Sequence, residues 1–219
     1  MSTLVLLHGA LAEGSQLRPL AAALRRDDAR TPDFPGHGAH GAERHELPRF
    51  VDAALDAAGD EPADLVGYSL GGYVALAAAI AHPERVRRVV AIATKLAWTP
   101  EVAATESRRL DPDRLAERAP GFVADLAARH PGPGARAVLE HTAAFLVGLG
   151  SAPPLALENV SAPTLVLVGA DDAMVTREEC EDAVRRIPDA RLDVLPGTPH
   201  QYERMDVADL AARIGDFLA

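Results

Sequence analysis

Cysteine is almost absent. The single residue, Cys180 in a chain of 219, excludes an internal disulfide and is compatible with a reducing compartment. Its neighbours in Glu178-Glu179-Cys180-Glu181 are acidic, which raises a thiol pKa, so Cys180 is no candidate nucleophile. Positive charge is in deficit: 22 Lys and Arg stand against 32 Asp and Glu, a net charge of −10. That balance disfavours nucleic acid and anionic membrane surfaces as partners. The apolar run Leu4-Val5-Leu6-Leu7 is too short for a membrane span or a signal-peptide core, and no basic segment precedes it. A cytoplasmic location is the expectation. Aromatic residues make up only 4%, so stacking surfaces are few. No Walker-type G-x-x-x-x-G-K and no G-x-G-x-x-G after a strand is present. His37, His40 and His45 lie close together, but no Cys, Asp or Glu lies among them at ligand spacing before Glu43 and Glu46, so they read as a solvated loop. Neither a metal nor an organic cofactor is expected.

What is present centres on Ser69, in the pentapeptide Gly67-Tyr68-Ser69-Leu70-Gly71. Before it, Ala63-Asp64-Leu65-Val66 reads as a short buried strand; after it, Leu70 to His82 reads as a helix rich in small residues. A serine on such a strand-to-helix turn is held at a strained backbone with its Oγ exposed. The flanking glycines remove side chains that would collide in the crowded turn. The helix N-terminus directs free N–H groups at the site, where they stabilise developing negative charge. A nucleophilic serine needs a base, an orienter for that base, and oxyanion donors. Three further strand ends offer them. The strand at Thr3–Leu7 runs into His8-Gly9-Ala10, which makes the Ala10 and Leu70 N–H groups the candidate oxyanion hole. The strand Pro163–Val168 ends in Gly169-Ala170-Asp171-Asp172, and Leu192–Leu195 precedes Pro196-Gly197-Thr198-Pro199-His200. Serine, acid and histidine thus each follow a strand, in the order Ser…Asp…His.

With these motifs in place the sequence resembles the α/β-hydrolase superfamily, over Leu4 to Thr94 and Ala162 to Leu218. His8-Gly9, Asp33-Phe34-Pro35-Gly36-His37-Gly38, His82-Pro83-Glu84-Arg85-Val86, Gly169-x-x-Asp172 and Gly197-x-x-His200 are similar to the family's recurring loops. The resemblance implies Ser69 as nucleophile, His200 as general base and then acid, and Asp172 as the carboxylate that orients the imidazole. Asp171 is the rival acid; the family's spacing, glycine plus three, selects Asp172.

The alternation of strands and helices implies an α/β fold: a mostly parallel sheet of about six strands, among them one at about 28–33, with helices on both faces. The larger family members carry two further strands at the start. Residues 95–158 break the alternation with closely spaced helix start and stop signals such as Thr99-Pro100 and Asp111-Pro112. They read as a helical cap inserted between two parts of a core, 1–94 and 159–219. Leu11, Tyr68 and Trp98 are the candidate pocket residues; Phe122, Phe145 and Leu146 either line the pocket or only pack the cap on the core. His8 reads as structural within its loop, and His82, His130 and His141 as helix-end or surface residues. The function implied is hydrolysis of small carboxylic esters or thioesters through an acyl-enzyme, with a small molecule as partner. A lyase or C–C bond-cleaving member of the fold is the alternative; it would need cations such as Lys95, Arg108 or Arg109 aimed into the pocket. A non-catalytic ligand-binding protein is the third reading. A halide-removing enzyme is disfavoured, because that branch needs an aspartate at position 69.

Overall fold

The computed structural model describes residues 2–219. Five strands, β1 (Leu4–Leu7), β2 (Ala63–Tyr68), β3 (Val86–Ile92), β4 (Thr164–Gly169) and β5 (Ala190–Leu195), form one sheet. They lie in the order β1-β2-β3-β4-β5, and every neighbouring pair is parallel. Every residue of β1, β2 and β4 is buried. They are apolar along most of their length, as expected where helices cover both faces; Asp64 in β2 and Thr164 in β4 are the buried polar exceptions. Only the edge strand β5 stays half-exposed along most of its length.

The period of two along each strand sorts its residues between two cores. Val5, Leu7, Leu65 and Val89 face one side, packed on α2 (Leu47–Ala58) and α3 (Leu70–Ala81). Leu4, Leu6, Val66 and Val90 face the other, packed on α1 (Arg18–Ala23) and α9 (Val207–Leu218). Phe50, Leu76, Leu20 and Ile214 are fully buried in these layers; each such side chain contributes about 1.5–3 kcal/mol of transfer free energy. α8 (Arg177–Arg186) sends Cys180 against Val166 and Val168.

The strand expected at about 28–33 is reduced to one bridge, Arg30 beside Val5, through Leu6 N–H to Arg30 O at 2.8 Å and Arg30 N–H to Leu4 O at 2.9 Å. Pro32 and Pro35 lie just beyond it in the chain and withhold the donors a ladder needs. The sheet therefore counts five strands, one fewer than the pattern suggests. Even so, the bridge shows the path of the chain. After β1 it passes along the outer side of that strand, then returns to form β2 on the inner side. The winding reverses at β1, and in open α/β sheets ligands bind beside such a reversal, at the carboxyl ends of the strands.

Between β3 and β4 the chain builds α4 (Pro100–Arg108), α5 (Pro112–Arg118), α6 (Pro120–Arg129) and α7 (Gly134–Ser151). The first three open on proline at the first helical position, with Thr99 and Asp111 accepting hydrogen bonds as N-caps of α4 and α5. Leu126, Val138 and Leu139 form their own small core, against which Leu11 packs.

Candidate active site

Ser69 sits between β2 and α3 with φ 52° and ψ −114°, a left-handed conformation that costs a non-glycine residue on the order of 1–3 kcal/mol. The turn is crowded enough to hold it there. A Cβ on Gly67 would collide with the backbone of Gly71, and one on Gly71 with the Leu7 carbonyl. Ser69 N–H donates to Ile92 O at 2.8 Å, which ties the turn to the next strand. The serine itself is half-buried.

The acid and base loops follow β4 and β5. Asp172 Oδ2 lies 2.9 Å from His200 Nδ1. The Asp172 side chain is fully buried and that of His200 is 15% exposed. Asp172 Oδ1 accepts from the N–H groups of Met174 and Val175, both at 2.8 Å. Burial alone would raise the Asp172 carboxyl, but the bonds from His200, Val175 and Met174 outweigh it and lower the pKa below the ordinary value. An ionised Asp172 fixes the proton on Nδ1, so Nε2 carries the lone pair a base needs. Asp171 is exposed; its N–H donates to Thr198 O at 3.1 Å. The Tyr68 hydroxyl donates to His200 O at 2.8 Å and steadies the histidine loop.

Ser69 and His200 meet as walls of one cavity of about 900 Å³, although no hydrogen bond joins them. Ala10, Leu11, Tyr68, Leu70 and Trp98 line it too, as do Phe122 from α6 and Phe145 and Leu146 from α7. Among the described residues neither the Ala10 nor the Leu70 N–H has an acceptor. Leu70 opens α3, where the first N–H groups have no partner within the helix. Phe145 serves both core and cavity, whereas Phe122 is 37% exposed. Lys95 and Arg109 reach the cavity wall, but each is paired. Lys95 Nζ lies 3.0 Å from Glu179, and Arg109 bonds Glu106 at 2.9 Å. Arg108 turns to the Thr105 hydroxyl instead.

Two histidines correct the sequence reading: His37 and His45, expected in a solvated loop, are buried. His130, expected at a helix end or a surface, caps the C-terminus of α6 and is buried there. His37 and His45 stack with ring centroids 4.2 Å apart. Burial is the largest cause that lowers them, His37 to about 4 and His45 to about 3. The loop folds inward because Gly38 N–H donates to His130 Nδ1 at 2.8 Å, a contact 92 residues apart in the chain. His8 is buried as well, between Gly9 O and Phe34 N–H. Among the described residues no group of three or more His, Cys, Asp or Glu is arranged to hold a metal ion. Cys180 is buried, and desolvation, then the neighbouring Glu179, pushes its thiol up to about 12. No helix among the described residues is long and apolar enough to cross a membrane.

The fold and this constellation define an α/β-hydrolase. The sequence profile of the Alpha/beta hydrolase family matches residues 4–213, and the chain belongs to that family. It is 34% identical to a 2-hydroxymuconate semialdehyde hydrolase from Pseudomonas sp. (strain CF600), over 78% of this chain and 68% of that protein. It is 33% identical to a pimeloyl-[acyl-carrier protein] methyl ester esterase from Aromatoleum aromaticum, over 86% and 87%. A thermophilic esterase from Thermogutta terrifontis superposes with a TM-score of 0.78 at 25% identity, covering 100% of this chain and 89% of that one.

Proposed function

We propose that the chain is a serine hydrolase of small carboxylic esters or thioesters that works through an acyl-enzyme. The observation that carries this reading is convergence on one cavity. A strained serine, a histidine whose Nδ1 is bonded to a buried carboxylate, and Ala10 and Leu70, whose N–H groups have no acceptor among the described residues, all line it. In this reading His200 Nε2 takes the proton of Ser69 as Oγ attacks the acyl carbon. The carbonyl oxygen becomes negative against the N–H groups of Ala10 and Leu70. His200 then returns the proton to the leaving alcohol or thiol, and water repeats the cycle to release the acid. Asp172 stays ionised throughout and stabilises the imidazolium.

In the same reading residues 95–158 act as a cap on a core of 1–94 and 159–219, and Leu11, Tyr68 and Trp98 supply apolar walls. The esterase relatives support ester chemistry, and the size and lining of the cavity support the acyl range. About 900 Å³ takes a ligand of ordinary small-molecule size, and apolar walls favour aliphatic acyl groups of short to medium length. The semialdehyde hydrolase relative favours a second reading, in which the same residues open a carbon–carbon bond. Lys95 is paired with Glu179 and Arg109 with Glu106, which weighs against those two as anchors for a polyanionic substrate; Arg129, also on the cavity wall, donates to the backbone carbonyls of Asp125 and Leu11.

The test is kcat/KM across aryl esters of rising chain length, acyl thioesters and a dicarboxylate vinylogous ketone, each against Ser69→Ala. A rise of about 0.8 kcal/mol per buried methylene, then a sharp fall, with all of it lost in Ser69→Ala, is the expected result. Background rates on every ester with turnover of the ketone would favour carbon–carbon cleavage.

A further inference from the structure

The loop that carries the Ala10 N–H is gripped by side chains at three successive carbonyls. Gly9 O accepts from His8 Nδ1 at 2.8 Å and from Ala12 N–H at 3.1 Å. Ala10 O accepts from His37 Nε2 at 2.8 Å and from the Thr142 hydroxyl at 3.5 Å. Leu11 O accepts from Arg129 Nη1 at 3.1 Å and from His130 Nε2 at 3.3 Å. The backbone fixes two of the tautomers. Phe34 N–H donates to His8 Nε2 at 3.0 Å, and Gly38 N–H donates to His130 Nδ1 at 2.8 Å. A nitrogen that accepts carries no proton, so each of these two rings is neutral, with its one proton on the side of the loop carbonyl. His8, His37 and His130 are all fully buried and their rings touch in series, with centroids 5.0 Å and 5.7 Å apart. Burial, the largest cause in each case, holds all three below the ordinary histidine pKa.

In a trans peptide the carbonyl of one residue and the N–H of the next point in opposite directions across one rigid plane. The hydrogen bonds on Gly9 O therefore aim the Ala10 N–H, and those on Ala10 O fix the plane on the other side of the same residue. A donor on the carbonyl also polarises its peptide and strengthens the N–H at the far end. We propose that His8, His37 and His130 are positioning residues of the reaction: by clamping the carbonyls of Gly9, Ala10 and Leu11, they aim the Ala10 N–H at the oxygen that becomes negative. The inference rests on the reading of Ala10 as an oxyanion donor. It adds a link to the insertion, since His130 comes directly after α6: one contact seats the helices above the site and holds the loop below them.

The test compares His37→Gln, whose amide N–H falls near the position of Nε2, with His37→Leu, which has no donor. Three quantities are read: kcat and KM on the best ester, and the affinity of a boronic acid that forms a tetrahedral adduct with the serine. In His37→Leu kcat and boronate affinity should fall together by roughly 10- to 100-fold, short of the ~10²–10³ lost when an oxyanion donor is removed outright. KM should hold, and His37→Gln should recover most of both losses. A ring that only fills space would lower the melting temperature and leave the boronate affinity of the folded protein at its wild-type value; that result overturns the proposal. A second measurement needs no variant to fold. Ring ¹⁵N spectra of the wild-type protein at about pH 7 should give neutral rings, with the proton on Nδ1 of His8 and on Nε2 of His37 and His130. A charged ring or a reversed tautomer contradicts it. If Ser69→Ala keeps full activity, the underlying reading of the site falls. If Ser69→Ala is inactive while His37→Leu matches wild type in kcat and boronate affinity, the positioning role alone falls.

Discussion

Asp171 and Asp172 are neighbours with opposite surroundings. The first is exposed, while the second is buried with both oxygens occupied by donors. Asp172→Asn should therefore lower kcat by about 10⁴ through loss of the correct imidazole tautomer, with geometry intact. Asp171→Asn should leave it at the wild-type value; steady-state kinetics on one ester decide, and the reverse pattern would shift the acid by one position. At this scale Ser69, Asp172 and His200 are legible as candidates because each stands at a fixed offset from a glycine at or just past a strand end; Gly67 and Gly169 have no room for a Cβ, and Gly197 takes a positive φ. The burial of His37, His45 and His130 is not legible. Their loops have no hydrophobic period, and they are buried by contacts distant in the chain, Gly38 with His130 and His45 with Thr142, which no local pattern encodes.

Among the elements, Glu179 ties the segment that follows β3 to α8. Glu179 opens α8 in a capping box with Thr176. Its carboxylate also accepts from Lys95 Nζ at 3.0 Å, Leu96 N–H at 2.9 Å and Ala97 N–H at 3.3 Å. It joins the first residues after β3 to the segment beyond the acid loop. In the sequence Glu179 stands out only as a neighbour of Cys180, since the Thr-x-x-Glu pattern gives the cap but not the distant partners. Glu179→Ala leaves a largely buried Lys95 without its partner and removes a cap. It should destabilise the fold by about 3–5 kcal/mol, read as a lowered midpoint in urea; a midpoint within error of wild type would mean the pair contributes nothing. The alternation of β and α elements is legible because buried parallel strands are mostly apolar. A strand is expected around Arg30 because the alternation calls for one between the first helix and the Asp33–Gly38 loop, but Asp28-Ala29-Arg30-Thr31 has little strand character and pairs at a single position.

For the whole molecule, the buried histidines set how folding depends on pH. The folded pKa values of His37 and His45 are lowered to about 4 and about 3, against about 6.5 in an unfolded chain. Between those limits the unfolded chain binds the protons and the folded one does not, so stability falls as pH falls. The contribution is complete above about pH 6.5 and is lost at up to about 1.4 kcal/mol per unit for each ring on the way down to the folded values. The melting temperature should drop steeply between about pH 6 and pH 4. The double variant His37→Gln, His45→Gln should flatten that slope, and a wild-type profile that stays level over the range would contradict the neutral, buried cluster. The central claim, that Ser69 becomes covalently acylated, is tested most directly by mass spectrometry of the intact protein and its peptides after treatment with a fluorophosphonate. One adduct per chain, carried by the peptide containing Ser69 and absent from Ser69→Ala, is the expected result; an unmodified protein, or an adduct on any other residue, would contradict it.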